Sequence, residues 1–284
     1  MSGKRARDKR KRTGDEITQA TQKNKQLAGT CIFCQRSGDM SKQHIWPEWM
    51  QKIVEDFQPK TSHTTLGWFP EVDSYYNKKI SNGRPGAQRI RKVCSKCNGG
   101  WINNEVEAMM RPIFTDIIQH NTNSISTENQ FYLALWAVLA TMVYEFKDPI
   151  TMATSQLERD YLYNTKQIPD RRQVWIGRMN ADPKYTQYIA HRGIKLSNSN
   201  DIKSENLTCN TSCTVFAVNE LVIVVGKIPT FVQVFPFLGE VGGKLMPIYP
   251  TYKEQVRFDK LSILTSNEVN EIRNSFTSEL NQYI

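Results

Sequence analysis

Cys31-Ile32-Phe33-Cys34, Ser41-Lys42-Gln43-His44-Ile45-Trp46-Pro47 and Cys94-Ser95-Lys96-Cys97-Asn98-Gly99-Gly100-Trp101 lie within one stretch of the chain. A Cys-x-x-Cys turn aims two thiolates at one point, and two such turns complete the tetrahedral shell that Zn²⁺ prefers. The pairs are separated by 59 residues, whereas a simple zinc ribbon spaces them by roughly 15–20. The chain between them is therefore expected to be a built structure. A thioredoxin-like redox role for either pair would need a βαβ context, which the sequence does not offer. A secreted disulfide framework is not expected either, because nothing at the N-terminus resembles a signal peptide. Cysteine usage as a whole fits a reducing, cytoplasmic setting.

His44 follows the first pair and precedes Ile45-Trp46-Pro47, a β-branched and aromatic run ending at proline. Such a run suits a short strand. A lone histidine is usually structural, but a neutral imidazole beside a complete metal shell can take a proton from water near neutral pH. Asn98 abuts Cys97 where the second pair turns into a helix. Trp101, Ile102, Val106 and Met109 recur there at helical spacing. Asn98 can serve as a cap or offer its amide oxygen to a hard cation such as Mg²⁺. Glu105 lies about two turns along the same face, too far to share that ion.

The order Cys-x-x-Cys, His-Ile-x-Pro, Cys-x-x-Cys-Asn resembles the HNH endonucleases, or ββα-metal nucleases, nearest the phage junction-resolving type with four zinc cysteines. It is also similar to bacterial and phage HNH proteins with a Cys-Asn-x-Gly-Trp signature and an appended C-terminal region. The likeness covers about residues 30–112. It implies a DNA phosphodiesterase with structural Zn²⁺ on Cys31, Cys34, Cys94 and Cys97. His44 would be the general base, and Asn98 would hold a catalytic Mg²⁺ or Mn²⁺ with help from Gln43. The implied products carry a 5′-phosphate and a 3′-hydroxyl. Two features depart from the family pattern. Gln43 stands where an Asp or Glu usually precedes the base, which removes a formal charge from the metal site. The middle Asn is absent from residues 88–93, with Asn82 as the nearest substitute.

The net charge of +9 is uneven. Residues 1–25 hold nine Lys/Arg against three acids, so residues 1–26 read as a disordered basic arm suited to phosphates. Trp46 to Gln58 is amphipathic and predicts a helix with Pro47 in its first turn. Residues 60–88, rich in Thr, Ser, Gly and Pro, predict an irregular or hairpin insertion, with Lys78, Lys79 and Arg84 available for phosphates. Gln88 to Val93 reads as a second strand with Arg89 and Arg91 on one face and Ile90 and Lys92 on the other. Arg84, Arg89, Arg91 and Lys92 are the candidate nucleic-acid contacts.

Beyond residue 113 the pattern predicts a buried helix over 129–146, too short in its apolar run to span a membrane, and a shorter helix over 156–164. Strands follow at 173–177, 188–190, 213–218, 221–225 and 231–235. The Leu261-to-Leu264 segment and a helix over 267–283 close the chain. Cys209 and Cys213 lack a second pair and read as buried thiols.

The expected class is α+β: a zinc-stapled ββα-metal (HNH) module over 27–115, then a mixed α+β domain over 116–284 with a largely antiparallel sheet. That second domain is the candidate surface for a homodimer. A rival from another class is a non-catalytic zinc-stabilised nucleic-acid-binding protein, and another is an interaction protein working through the C-terminal sheet. A carboxylate such as Asp39 or Glu48 near His44 and Asn98 would favour the enzyme.

Overall fold

A computed structural model describes residues 28–54, 62–69, 74–82, 88–182, 185, 187–196, 209–229, 239–250 and 253–278. The basic arm, Arg84 and the expected strand at 231–235 lie outside the described residues.

The two cysteine pairs organise the first half. β1 (Ala28–Thr30) pairs antiparallel with β2 (Ser37–Asp39), and the first pair sits in the turn between them. β3 (Gln43–His44) leads into a 3₁₀ turn at Glu48–Lys52. β4 (Ser62–Phe69) and β5 (Ser74–Asn82) form the antiparallel hairpin anticipated for the Thr/Ser/Gly-rich stretch, with Trp68 opposite Tyr75 and Thr65 opposite Lys79. β6 (Arg89–Ile90) returns beside β3, pairing Gln43 with Ile90 and His44 with Arg89.

Two predicted elements are shorter than their patterns. The helix expected from Trp46 is a single 3₁₀ turn within the described residues, and Pro47 stands before it in extended conformation (φ −50°, ψ 141°). The cause is Trp46. Its indole packs against Trp136 at 5.7 Å and Phe216 at 5.8 Å, which draws the chain inward before a helix can start. The second strand stops at Ile90, so the two-residue alternation fails: Arg89 and Lys92 are exposed while Arg91 is half-buried. Past Ile90 the backbone bonds to the cysteine loops instead, with Lys92 accepting from Ile32 N at 3.0 Å and Val93 from Ser41 N at 2.8 Å.

Helical winding begins at α1 (Ser95–Cys97), capped by the Cys94 sulfur, and continues as a π-wound stretch, Asn98–Glu107, before α2 (Ala108–Ile118). Gly100 departs from helical geometry (φ −92°, ψ −115°). The wider π turn rotates everything after it. Ile102, Val106, Met110, Ile113, Phe114 and Ile117 face the core, and Met109, expected inside from α-helical spacing, is 41% exposed.

β7 (Ser124–Ser126) precedes α3 (Thr127–Tyr144), the long apolar helix, whose first turn is capped by Ser126 accepting from Asn129 N. No described helix is long and apolar enough to cross a membrane. After 3₁₀ turns at Glu145–Lys147 and Pro149–Thr151 comes α4 (Gln156–Thr165). Ser155 and Glu158 form a capping box there, and Lys166 ends the helix in the left-handed region (φ 57°).

β8 (Arg172–Met179), β9 (Tyr188–Ile194), β10 (Thr211–Val218) and β11 (Leu221–Lys227) make an antiparallel sheet in the order β8-β11-β10-β9. After a short helix α5 (Gly239–Gly242), β12 (Met246–Tyr249) adds antiparallel to β8. β13 (Gln255–Arg257) pairs with β7, and β14 (Ile263–Leu264) runs parallel to the end of β8. The last helix is α6 (Ser266–Ser278). The chain thus mixes helices with a mainly antiparallel sheet.

β10 is buried on both faces, and its apolar run from Val215 to Val218 fits that burial. Phe216 and Val218 face the core shared with α3 and Trp46, while Cys213, Val215 and Ala217 face Val269 and Ile272 of α6. The core on the α3 side runs without a break from Cys31 to Phe258. The cysteine module and the sheet are therefore packed as one body.

Candidate functional site

The four cysteine sulfurs converge within 4.8 Å of one another. Cys34 Sγ and Cys94 Sγ are 3.7 Å apart, close to the ~3.8 Å edge of a tetrahedron with 2.3 Å zinc–sulfur bonds. Backbone N–H groups also point at the sulfurs: Cys94 N to Cys31 Sγ and Cys97 N to Cys94 Sγ, each 3.4 Å. Burial pushes the Cys94 and Cys97 thiols up. At Cys31 burial acts the same way, but the N–H groups of Cys94, Cys34 and Phe33 outweigh it and bring the thiol below its ordinary value. Crowded, buried thiolates are costly unless a cation shares them, and the donor set fits Zn²⁺.

The C-terminal half closes over this centre. On α4, Gln156 donates to the Ile32 carbonyl at 2.8 Å, and Asp160 accepts from Gln35 at 2.7 Å. Trp101 meets Phe33 edge-on at 5.2 Å and Tyr163 at 6.0 Å, with the Lys166 ammonium over both the Trp101 and Tyr163 rings. Nothing in the Cys-x-x-Cys spacing announced this contribution.

His44 is half-buried on β3. Burial lowers its pKa first, the Arg89 guanidinium across the strand pair lowers it further, and Glu48 partly offsets both. The imidazole is thus held neutral at neutral pH, and its Nδ1 is buried without a hydrogen-bond partner. Glu48 is exposed and stands within electrostatic reach of His44. Asp39 is exposed, and its carbonyl accepts from Ser95 at 3.5 Å.

Gln43 is 4% exposed and points inward. Its Nε2 donates to the His44 carbonyl at 3.1 Å, and its Oε1 is buried without a partner. Against the Gln43 amide lies Glu107, itself 9% exposed, whose carboxyl burial pushes up to about 7. The Trp49 indole leans on the same carboxyl without completing a hydrogen bond.

Glu107 was invisible to α-helical spacing, which put Glu105 on the Asn98 face. In the π-wound stretch Glu105 is exposed and Glu107 turns inward. Asn98 is half-buried beside the sulfur cluster, its N–H bonded to the Cys94 carbonyl at 2.9 Å. Of the predicted base and ion residues, Gln43 and His44 are adjacent on β3, while Asn98 belongs to the cysteine end of the helix.

Arg89 and Lys92 are exposed at the β6 edge. The Lys92 ammonium lies 5.6 Å from the Phe146 ring centroid, and Lys147 donates to Gln88, so the C-terminal half adds a cation to this edge. His191 lies in the C-terminal half with Cys209 and Cys213, which are buried. His191 bridges Thr214 Oγ1 (2.8 Å) and the Thr151 carbonyl (3.0 Å), and burial pushes Cys209 and Cys213 up to about 12.

No protein-family model, curated protein or solved structure matches the chain.

Proposed function

We propose that the protein is a metal-dependent phosphodiesterase of the HNH type that cleaves DNA. The observation that carries this reading is His44. It is a neutral imidazole with an unpartnered ring nitrogen, on a two-residue strand between the two halves of a four-sulfur centre. In this reading zinc staples Cys31, Cys34, Cys94 and Cys97 and takes no part in the chemistry. His44 removes the proton from an attacking water. A Mg²⁺ or Mn²⁺ ion held beside the β3 strand would supply stabilisation of the charge that develops on the phosphate. Gln43 and Asn98 are the ligands the HNH resemblance supplies for that ion. Arg89 and Lys92, with half-buried Arg91 behind them, face the phosphate backbone, joined by Arg84 and the basic arm on sequence grounds. The C-terminal half, residues 116–284, is the place for a homodimer contact.

A second reading is a non-catalytic zinc-stabilised nucleic-acid-binding protein. It is favoured by Gln43, which carries no charge where an ion would need one. Nicking of supercoiled plasmid separates the two. The enzyme reading expects cleavage that requires added Mg²⁺ or Mn²⁺, stops with EDTA, and is lost in His44→Ala with zinc retained. Zinc-loaded wild type that binds DNA and never cuts it would leave the binding reading standing.

A further inference from the structure

We infer that Glu107, together with the Gln43 amide oxygen, forms the binding site for the divalent cation, Glu107 taking the place of Asn98 as co-ligand. This rests on the reading of β3 as the catalytic strand and moves the formal charge missing at position 43 onto the helix.

Three observations carry it. First, Glu107 is a carboxylate buried to 9% exposure, and among the described residues no lysine or arginine pairs with it. A buried carboxylate without a cation is costly, and proteins relieve it by taking up a proton, by pairing or by metal ligation. Second, its neighbour Gln43 is 4% exposed and leaves Oε1 without a partner. Rotation about the last side-chain torsion exchanges Oε1 and Nε2, so the oxygen can be brought to the Glu107 side in exchange for the Nε2 bond to the His44 carbonyl. A carboxylate and an amide carbonyl are the hard oxygen donors that Mg²⁺ and Mn²⁺ take. Third, Glu107 is turned inward where the chain beyond the Gly100 break winds with π character before α2, and π-bulges are rare and concentrated at functional sites.

Asn98 is the alternative, and geometry separates the two. Asn98 lies before the break at Gly100, its N–H bonded to the Cys94 carbonyl, whereas Glu107 lies beyond the break against the Gln43 amide. Water completes the shell of an ion held by few protein groups, as is usual for Mg²⁺.

The test is Mn²⁺ binding to the zinc-loaded full chain, read by electron paramagnetic resonance of free Mn²⁺. Expected is one Mn²⁺ site in the wild type, at least tenfold weaker in Glu107→Gln and little changed in Asn98→Ala, with zinc content constant. A Gln43→Glu substitution should tighten the site and restore binding to Glu107→Gln, which keeps the proposal testable if the single variant folds poorly. Wild-type binding retained in Glu107→Gln, or lost in Asn98→Ala, overturns the assignment. So does a failure of Gln43→Glu to alter binding. The nuclease reading stands or falls separately. Glu107-dependent Mn²⁺ binding without plasmid nicking sinks that reading alone, and metal-dependent nicking indifferent to Glu107 sinks this one.

Discussion

Two buried polar centres hold this molecule, and they are built on opposite principles. The cysteine centre gathers four sulfurs with no cation of its own and calls for one from outside. The second centre, under α4, is neutralised from within. Glu145, fully buried, accepts the N–H groups of Ala153 and Thr154, both at 3.2 Å, and lies 3.8 Å from Arg159. Glu158 meets Arg172 at 3.2 Å and Lys227 at 2.5 Å, and Arg172 also donates to Thr154 Oγ1 at 2.6 Å. One centre is thus sensitive to chelation and the other to acid. They meet on α4, where Glu158 of the capping box joins the ion network while Gln156 and Asp160 grip the first cysteine loop.

The largest effect should come from emptying the cysteine centre. Cys97→Ser should abolish zinc binding and remove on the order of 10 kcal/mol of folding free energy. Because the core is shared through Trp46, thermal melting should show the sheet lost together with the module. A variant that loses zinc but keeps the wild-type melt would mean that the two regions fold independently.

Breaking the other centre should cost less. Glu158→Ala leaves Arg172 and Lys227 buried without their acid, a loss of about 3–5 kcal/mol by denaturant titration. The same contact sets an acid limit. Burial raises the Glu158 pKa, but Arg172 and Lys227 more than reverse this and hold it at about 2. Because the folded value is depressed, its stabilisation is fully present above the ordinary carboxylate range. It fades as pH falls from about 4.5 towards 2. Stability of Glu158→Ala should therefore depend less steeply on pH across that window than the wild type does. Ser155→Ala, removing only the cap, should cost about 1 kcal/mol.

The smallest effect is electrostatic and local. Arg89 lowers the His44 pKa, so Arg89→Ala should raise it, and Glu48→Gln should lower it further. Histidine NMR titration reads both shifts. A His44 that titrates identically in both variants would remove the electrostatic basis for its neutral state.

The sequence disclosed one centre and hid the other for physical reasons. Cys31, Cys34, Cys94 and Cys97 are legible because a metal knuckle is a local object with a fixed spacing. Glu145, Arg159, Arg172 and Lys227 are scattered over four elements and make sense only after the sheet has assembled. Strands β8, β9, β10 and β11 of that sheet were readable in the sequence, whereas β12 was not. The length of the helix after Pro47 was not, because Trp46 answers to Trp136 and Phe216 far along the chain. Glu107 was missed for a subtler reason: the 3.6-residue period assumed for residues 98–110 is not the winding this helix adopts.

Zinc-edge X-ray absorption on the purified full chain, with the metal content of the same sample, tests the central claim most directly. The account predicts about one zinc per chain with four sulfur neighbours near 2.3 Å. Protein lacking zinc, or zinc with nitrogen or oxygen in its shell, would contradict the four-sulfur centre on which the placement of His44 and Glu107 depends.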